Sequence, residues 1–258
     1  MPLPYIGITG FMRPEEIVEI LSFINESCSP DEPIIRKIMF GVLVSSKTLR
    51  GEKNKFPNRY PLVEEIGKIF IEHPLAMNVI HFHYSHNENE TLLSQLEKLI
   101  EVGGGNLDGI QLNIAWPDPR SLERFRMLYL GMYKQIQLIL QVGSKAFGEN
   151  SSPEKIASKI KEEYLGLADY VLLDLSGGYG KLLDANFLEP FIEKIQEEMP
   201  GIGIGLAGGL DPETLDLIAP LIKKYPFLSI DEDHLDLNVV KEYLCKALAM
   251  FNLHESSK

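Results

Sequence analysis

Apolar residues along this chain fall into two alternating periods, one suited to strands and one to helices. Short β-rich apolar runs recur, and each is followed by a segment with helical spacing and a polar face. Tyr5–Thr9 reads as the first strand. Arg13-Pro14-Glu15-Glu16 then opens a helix reaching about Asn25, with proline and acids where the helix dipole favours them. Residues 37–44 form a second strand, continuously apolar from Ile38 except for Gly41, as a strand buried on both faces should be. Residues 45–60 read as a long polar loop and 61–72 as the second helix. Further strands are predicted at 78–84, 109–113, 135–142, 169–173, 203–206 and 227–230. The helices between and after them are predicted at 90–102, 118–132, 152–166, 186–199, 212–224 and 236–251.

Such a series has a mean spacing of ~32 residues, close to the roughly thirty of one βα unit. It predicts a single (β/α)8 TIM barrel over residues 1–258, one α/β domain with no linker. An open doubly wound sheet would show the same local pattern and is the alternative. In both folds ligands bind at the carboxyl ends of the strands, so chemistry is sought just after each strand.

Composition narrows the partners more than the fold. At 45% hydrophobic and 24% charged the chain has the balance of an ordinary globular protein, and 258 residues suit one barrel. The net charge of −12 argues against nucleic acid and anionic membrane surfaces as partners, because both need a positive face. It leaves room for a small, anionic ligand held by a local nest of backbone N–H groups. No run approaches the ~18 apolar residues of a membrane helix. Nothing at residues 1–9 reads as a signal peptide. The two cysteines, Cys28 and Cys245, lie far apart, which suggests a reduced, cytoplasmic protein. No cofactor is expected, and a homodimer is compatible with the sequence.

The candidate chemistry centres on two glycine turns. Residues 170–174 lead into Gly177-Gly178-Tyr179-Gly180-Lys181, and residues 202–207 lead into Gly208-Gly209-Leu210-Asp211-Pro212-Glu213. A strand, a glycine turn and a capped helix can place backbone N–H groups around a phosphate. The plainer reading of Gly177, Gly178, Gly180, Gly208 and Gly209 is tight turns that need positive φ. Asp174, at the mouth of the first turn, reads as a general acid or as a turn cap. His81 and His83 share one face of the third strand, a spacing zinc hydrolases use, and His86 follows. With Asp174 and the later acids they suggest a metal-dependent hydrolase or lyase; otherwise they are histidines near a strand end. Asp231-Glu232-Asp233 reads foremost as a solvated helix N-cap. Lys53, Lys55 and Arg59 form either a lid over an anion or a solvated loop, and Trp116 either stacks on a ligand ring or plugs the barrel top.

The same residues carry a resemblance to the phosphoribosylanthranilate isomerase family. Gly7-Ile8-Thr9 followed by Arg13-Pro14-Glu15 looks like that family's opening Lys-Ile-Cys-Gly-Ile-Thr-Arg-Pro-Glu. Gln111-Leu112 is similar to its Gln-Leu-His-Gly, and Leu172-Leu173-Asp174 with the turn at 177–181 is similar to its Leu-Leu-Asp and Gly-Gly-Thr-Gly-Lys. Leu206-Ala207-Gly208-Gly209-Leu210-Asp211-Pro212-Glu213 is close to its Leu-Ala-Gly-Gly-Leu-x-Pro-Glu. The resemblance implies a TIM barrel with Asp174 as catalytic acid in an isomerase-like reaction. It also implies a phosphorylated sugar-type ligand at the C-terminal rim. Gln111 and Asn113 would contact that ligand, with Asn113 in place of the family's histidine. Lys47 and Arg50 lie in the loop that carries the family's ligand-binding arginine. Two departures alter the expectation. The position of the family's cysteine base is Ile6, which takes no proton. The strand-eight turn reads Ile230-Asp231-Glu232-Asp233-His234, where two extra carboxylates would repel a phosphate by roughly 4 kcal/mol at about 4 Å. A diverged relative is therefore expected, in which the family's own isomerisation is lost. A barrel that binds a ligand without catalysis is the remaining class.

Overall fold

The computed structural model describes residues 1–27, 36–84, 91–129, 135–148, 152–174, 182–233 and 236–255. Eight parallel strands pair in sequence order and close into a barrel, with β1 against β8. The strands are β1 (Tyr5–Thr9), β2 (Lys37–Ser45), β3 (Ala76–His83), β4 (Gly109–Asn113), β5 (Gln137–Gly143), β6 (Tyr170–Asp174), β7 (Gly203–Ala207) and β8 (Ser229–Asp233). The helices are α1 (Pro14–Ser27), α2 (Ser46–Leu49), α3 (Ile66–Ile69), α4 (Leu92–Gly103), α5 (Pro119–Leu128), α6 (Ser144–Phe147), α7 (Pro153–Tyr164), α8 (Ala185–Glu198), α9 (Ala219–Lys224) and α10 (Leu237–Glu255). The expected single (β/α)8 barrel is the fold. No helix among the described residues is long and apolar enough to cross a membrane.

Two apolar layers hold the barrel. The outer one lies between sheet and helices: α1 buries Ile17, Ile20, Leu21 and Ile24, a stripe at i, i+3, i+4 and i+7, against the sheet. Each such side chain contributes roughly 1.5–3 kcal/mol by leaving water. The inner one fills the lower barrel with Tyr5, Met39, Met77, Val79, Ile139, Tyr170 and Leu172. Glycine makes room for it: a Cβ on Gly203 would sit 2.2 Å from Cδ1 of Tyr170. Higher up, the inward positions turn polar, and Thr9, His81, Gln111, Gln141, Asp174 and Asp231 are all buried. That change of character along the barrel axis positions the site.

Besides the unexpected four-residue α6 after β5, the structure departs from the sequence pattern in four places. The expected helix at 61–72 is only a 3-10 turn, Val63–Glu65, and the four-residue α3. Phe70 leaves helical geometry with ψ 135°, and Asn106 and Asn78 side-chain amides donate to the carbonyls of Phe70 and Ile71 at 3.2 and 2.9 Å. Those bonds satisfy the extended backbone. The expected loop at 45–60 begins with α2, which Ser45 and Thr48 close in a reciprocal capping box. The helix expected at 212–224 becomes a 3-10 turn, Leu215–Ile218, and the short α9.

The fourth departure matters most. β8 does not stop at Ile230 but runs through Asp233, in register with β1 as Ile6↔Ile230, Gly7↔Asp231, Ile8↔Glu232 and Thr9↔Asp233. Asp231 and Glu232 are thus buried strand residues, 6% and 4% exposed, and not a solvated helix cap. Aspartate is a poor strand former, but pairing with β1 on one side and β7 on the other outweighs that preference.

Candidate active site

The polar ends of the inward positions open into a cavity of ≈ 710 Å³ at the C-terminal mouth of the barrel. That volume is typical of small-molecule sites. Thr9, His81, Gln111, Gln141, Asp174 and Asp231 all line it. Arg59, His83, Asn113, Lys145, Gly208 and Gly209 contribute to its wall as well.

Two hydrogen-bonded arms organise the floor. In one, Thr9 Oγ1 lies 3.1 Å from Nδ1 of His81 and donates to Oδ1 of Asp231 at 3.2 Å. With its own proton given to Asp231, the Thr9 oxygen accepts from the imidazole N–H. His81 also has Nε2 3.3 Å from the Met39 sulfur. Gly41 gives the ring its space: a Cβ there would lie 2.6 Å from Thr9 Oγ1 and 2.8 Å from His81 Nε2. In the other arm, Gln111 Nε2 donates to Gln141 Oε1 at 3.3 Å, and Gln141 Nε2 donates to Asp174 Oδ2 at 2.8 Å. The amide of Gln141 therefore fixes one carboxylate oxygen of Asp174.

Burial sets the charge of this floor. His81 is pushed down to about 3 by burial and is neutral at physiological pH. Asp231 is held well above the ordinary carboxylate range, first by burial and then by the charges of Asp233 and Asp174. Its bonds with Thr9 and Gln111 pull the other way without offsetting that. Glu232 is raised to about 8 by burial, then by Asp211, Asp231 and Asp233, and neither of its oxygens has a hydrogen-bond partner among the described residues. Glu232 is therefore mainly protonated at neutral pH, and the repulsion that a count of acids along the sequence implies is overstated. The third, Asp233, is in an ion pair with Arg59.

The structure sorts the sequence candidates. Asp174, Gln111, Asn113, Gly208, Gly209, His81 and His83 all face the cavity. Gly208 and Gly209 have φ of 111° and 61°, so both satisfy the plain geometric demand for glycine. No helix begins directly after them, and Asp211 itself accepts from the N–H groups of Glu213 and Thr214 at 2.7 and 2.8 Å. Any anion bound here would rely on the turn, not on a helix dipole. Gly177, Gly178 and Gly180, with Tyr179, Lys181, Cys28, His86 and His234, lie outside the described residues.

Lys47 and Arg50 do not reach the cavity. Lys47 is exposed on α2, and Arg50 pairs with Glu52 at 2.8 Å. Among the described residues the cations at the mouth are instead Arg59, which spans from the long loop to β8, and Lys145 on α6. Arg59 is one of the three basic loop residues picked out in the sequence; Lys145 gave no signal beyond its place after β5. Trp116 does not line the cavity. It stacks on Tyr164 with centroids 5.9 Å apart, at a strained φ of 54°. Ile6, the position matching the family's cysteine, belongs to the helix-facing core, whereas Thr9 is the inward residue at the mouth end of β1. Among the described residues no group of three His, Cys, Asp or Glu side chains could hold a metal ion. In the sequence Asp231 reads foremost as a solvated cap, because an acidic run after an apolar one looks like one; Gln141, like Lys145, lines the cavity without being singled out in the sequence.

No family model matches the chain, and no curated protein matches it either.

Proposed function

We propose that the mouth cavity binds a small, phosphorylated sugar-type ligand and moves a proton on it, an isomerase-like reaction in which Asp174 is an acid–base group. The observation that carries this reading is the placement of Asp174. It is a buried carboxylate at a strand end, oriented by the Gln141 amide and open to a cavity of ligand size. Amide and hydroxyl groups beside it, from Gln111, Gln141, Asn113 and Thr9, suit the hydroxyl groups of a sugar. The anionic end of the ligand would lie against the Gly208–Gly209 turn with Lys145 and Arg59 as the cations of the rim. The raised carboxyls of Asp231 and Glu232 lessen the repulsion that charge would meet. The resemblance to phosphoribosylanthranilate isomerases points the same way.

Calorimetric titration with ribose 5-phosphate, ribose and inorganic phosphate tests the reading. Ribose 5-phosphate is expected to bind more tightly than ribose. Lys145→Ala should weaken it about tenfold, the scale of one surface-accessible charge contact, while Lys47→Ala leaves it unchanged. Equal affinity for ribose and its phosphate would remove the phosphorylated ligand from the reading. Binding of neither would remove the sugar class altogether.

A further inference from the structure

A proton shift between neighbouring carbons needs two groups, one to take a proton from carbon and one to give a proton to oxygen. In this chain the strand-one position that matches the family's base is Ile6, which faces the helices. β6 and β8 instead each place an inward aspartate at the same level. The register runs Asp174↔Ala207↔Asp231 across β6, β7 and β8. With strands about 4.8 Å apart, the two Cα atoms lie roughly 10 Å apart. Ala207, with its small side chain, is the residue between them in that register, and all three residues line the cavity. Each aspartate is 6% exposed, and each is oriented by a different neighbour: Gln141 for Asp174 and Thr9 for Asp231.

We propose that Asp231 is the second catalytic residue of this cavity, working with Asp174 from the opposite side of the ligand. The inference rests on the sugar-type reading above and adds to it the missing proton partner. Asp174 here takes the base's part in place of the acid's part that the resemblance implies: on an open-chain aldose phosphate it removes the proton from C2 as that C–H bond breaks. Asp231 gives its proton to the carbonyl oxygen at C1, and an enediol forms. Asp174 then returns its proton to C1, while Asp231 takes the hydroxyl proton from O2, so the carbonyl now sits at C2. Both side chains end as they began, and no oxidant or metal enters the balance. Burial, and then the charges of Asp233 and Asp174, raise the Asp231 carboxyl, the direction a proton donor needs.

The test is deuterium exchange in D2O, followed by proton NMR on ribose 5-phosphate and glucose 6-phosphate with the full-length protein and two variants. The wild type is expected to exchange the C2 proton of at least one of them. Asp174→Asn and Asp231→Asn should each lose about 10²–10⁴-fold in rate while keeping the wild-type circular dichroism. Loss in Asp174→Asn with an unchanged rate in Asp231→Asn would overturn this proposal and leave the sugar reading standing. Absence of exchange by the wild type would overturn both. Should Asp231→Asn fail to fold, Thr9→Val provides the reading. It removes a hydrogen bond that favours the charged carboxylate of Asp231, with Asp174, Asp233, Tyr5 and Gln111 still around it. The limb of the pH–rate profile belonging to Asp231 should then move to higher pH, and an unmoved profile would contradict the proposal.

Discussion

The ends of β6 and β8 are alike in residue type, depth and direction, yet they hold their aspartates in opposite ways. Asp174 and Asp231 are both 6% exposed, both face inward and both sit one strand from Ala207. Asp174 accepts an amide N–H at 2.8 Å, a bond that suits a carboxylate. Asp231 receives a longer hydroxyl bond at 3.2 Å and lies among the charges of Asp233 and Asp174. The first is held by a neutral amide donor, whereas burial and neighbouring charge raise the second above the ordinary carboxylate range. Pairs of carboxyls set apart by their surroundings are how one site can both take and give protons.

The largest expected effect comes from removing one member of the pair. Asp174→Asn should lower exchange or turnover by about 10²–10⁴-fold, with little change in ribose 5-phosphate affinity. An equal loss in affinity and rate would make Asp174 a binding residue and break the contrast with Asp231.

The next effect is on stability against pH, and its sign follows from the shifts. Glu232 is raised from 4.5 to about 8, so the folded state holds its proton more tightly than the unfolded chain. Its carboxyl is harmless below the unfolded value. It becomes steadily more costly as pH rises from 4.5 to about 8 and stays so above that. Glu232→Gln should therefore stabilise the protein at pH 8 by a few kcal/mol, on the order of 3, and change little near pH 4.5. His81 works in the other direction. Its value is lowered to about 3, so its neutral form is favoured in the fold and stability falls as pH drops from 6.5 towards 3. Urea unfolding at several pH values reads both. A wild-type profile flat across this range would show that the β8 end is more open to water than its burial indicates.

Gly41→Ala tests the arm that orients Asp231. The added methyl would meet Thr9 Oγ1 at 2.6 Å and His81 Nε2 at 2.8 Å, and overpacking of this kind costs about 1–3 kcal/mol. It should shift the denaturation midpoint and slow the reaction, whereas a neutral substitution would mean that the arm is loosely packed. The smallest effect is at the rim. The Arg59–Asp233 pair is 30% and 52% exposed, and such pairs are worth roughly 0–1 kcal/mol. Arg59→Ala should leave stability almost unchanged while weakening ribose 5-phosphate binding in a salt-dependent way. A large loss of stability would make Arg59 a structural strut and not a ligand contact.

The same contrast explains what could be read from the chain. The barrel was legible because its strands are short apolar runs and its longer helices carry apolar stripes, both local patterns. α3 was not legible as a short turn, because the amides that hold the extended backbone at Phe70 and Ile71 come from Asn106 and Asn78. Asp174 was legible because Leu172-Leu173-Asp174 is an apolar strand that ends in an acid. Asp231 was hidden because the partner that makes its stretch a strand is β1, more than 200 residues away; the Thr9–Asp231 bond spans 222 positions. Lys145 was hidden for a similar reason, since only closure of the barrel brings the first turn after β5 to the cavity.

The most direct test of the account is a pH titration of the ligand-free protein with its aspartates labelled with ¹³C at Cγ, followed by NMR. The account predicts one carboxyl that titrates well above the usual aspartate value of about 3.9. That signal should vanish in Asp231→Asn and move to lower pH in Asp174→Asn, because the charge of Asp174 helps to raise it. If every aspartate titrates in the ordinary range, or the raised signal survives in Asp231→Asn, the two strand ends do not differ as described and the paired-carboxyl site is wrong.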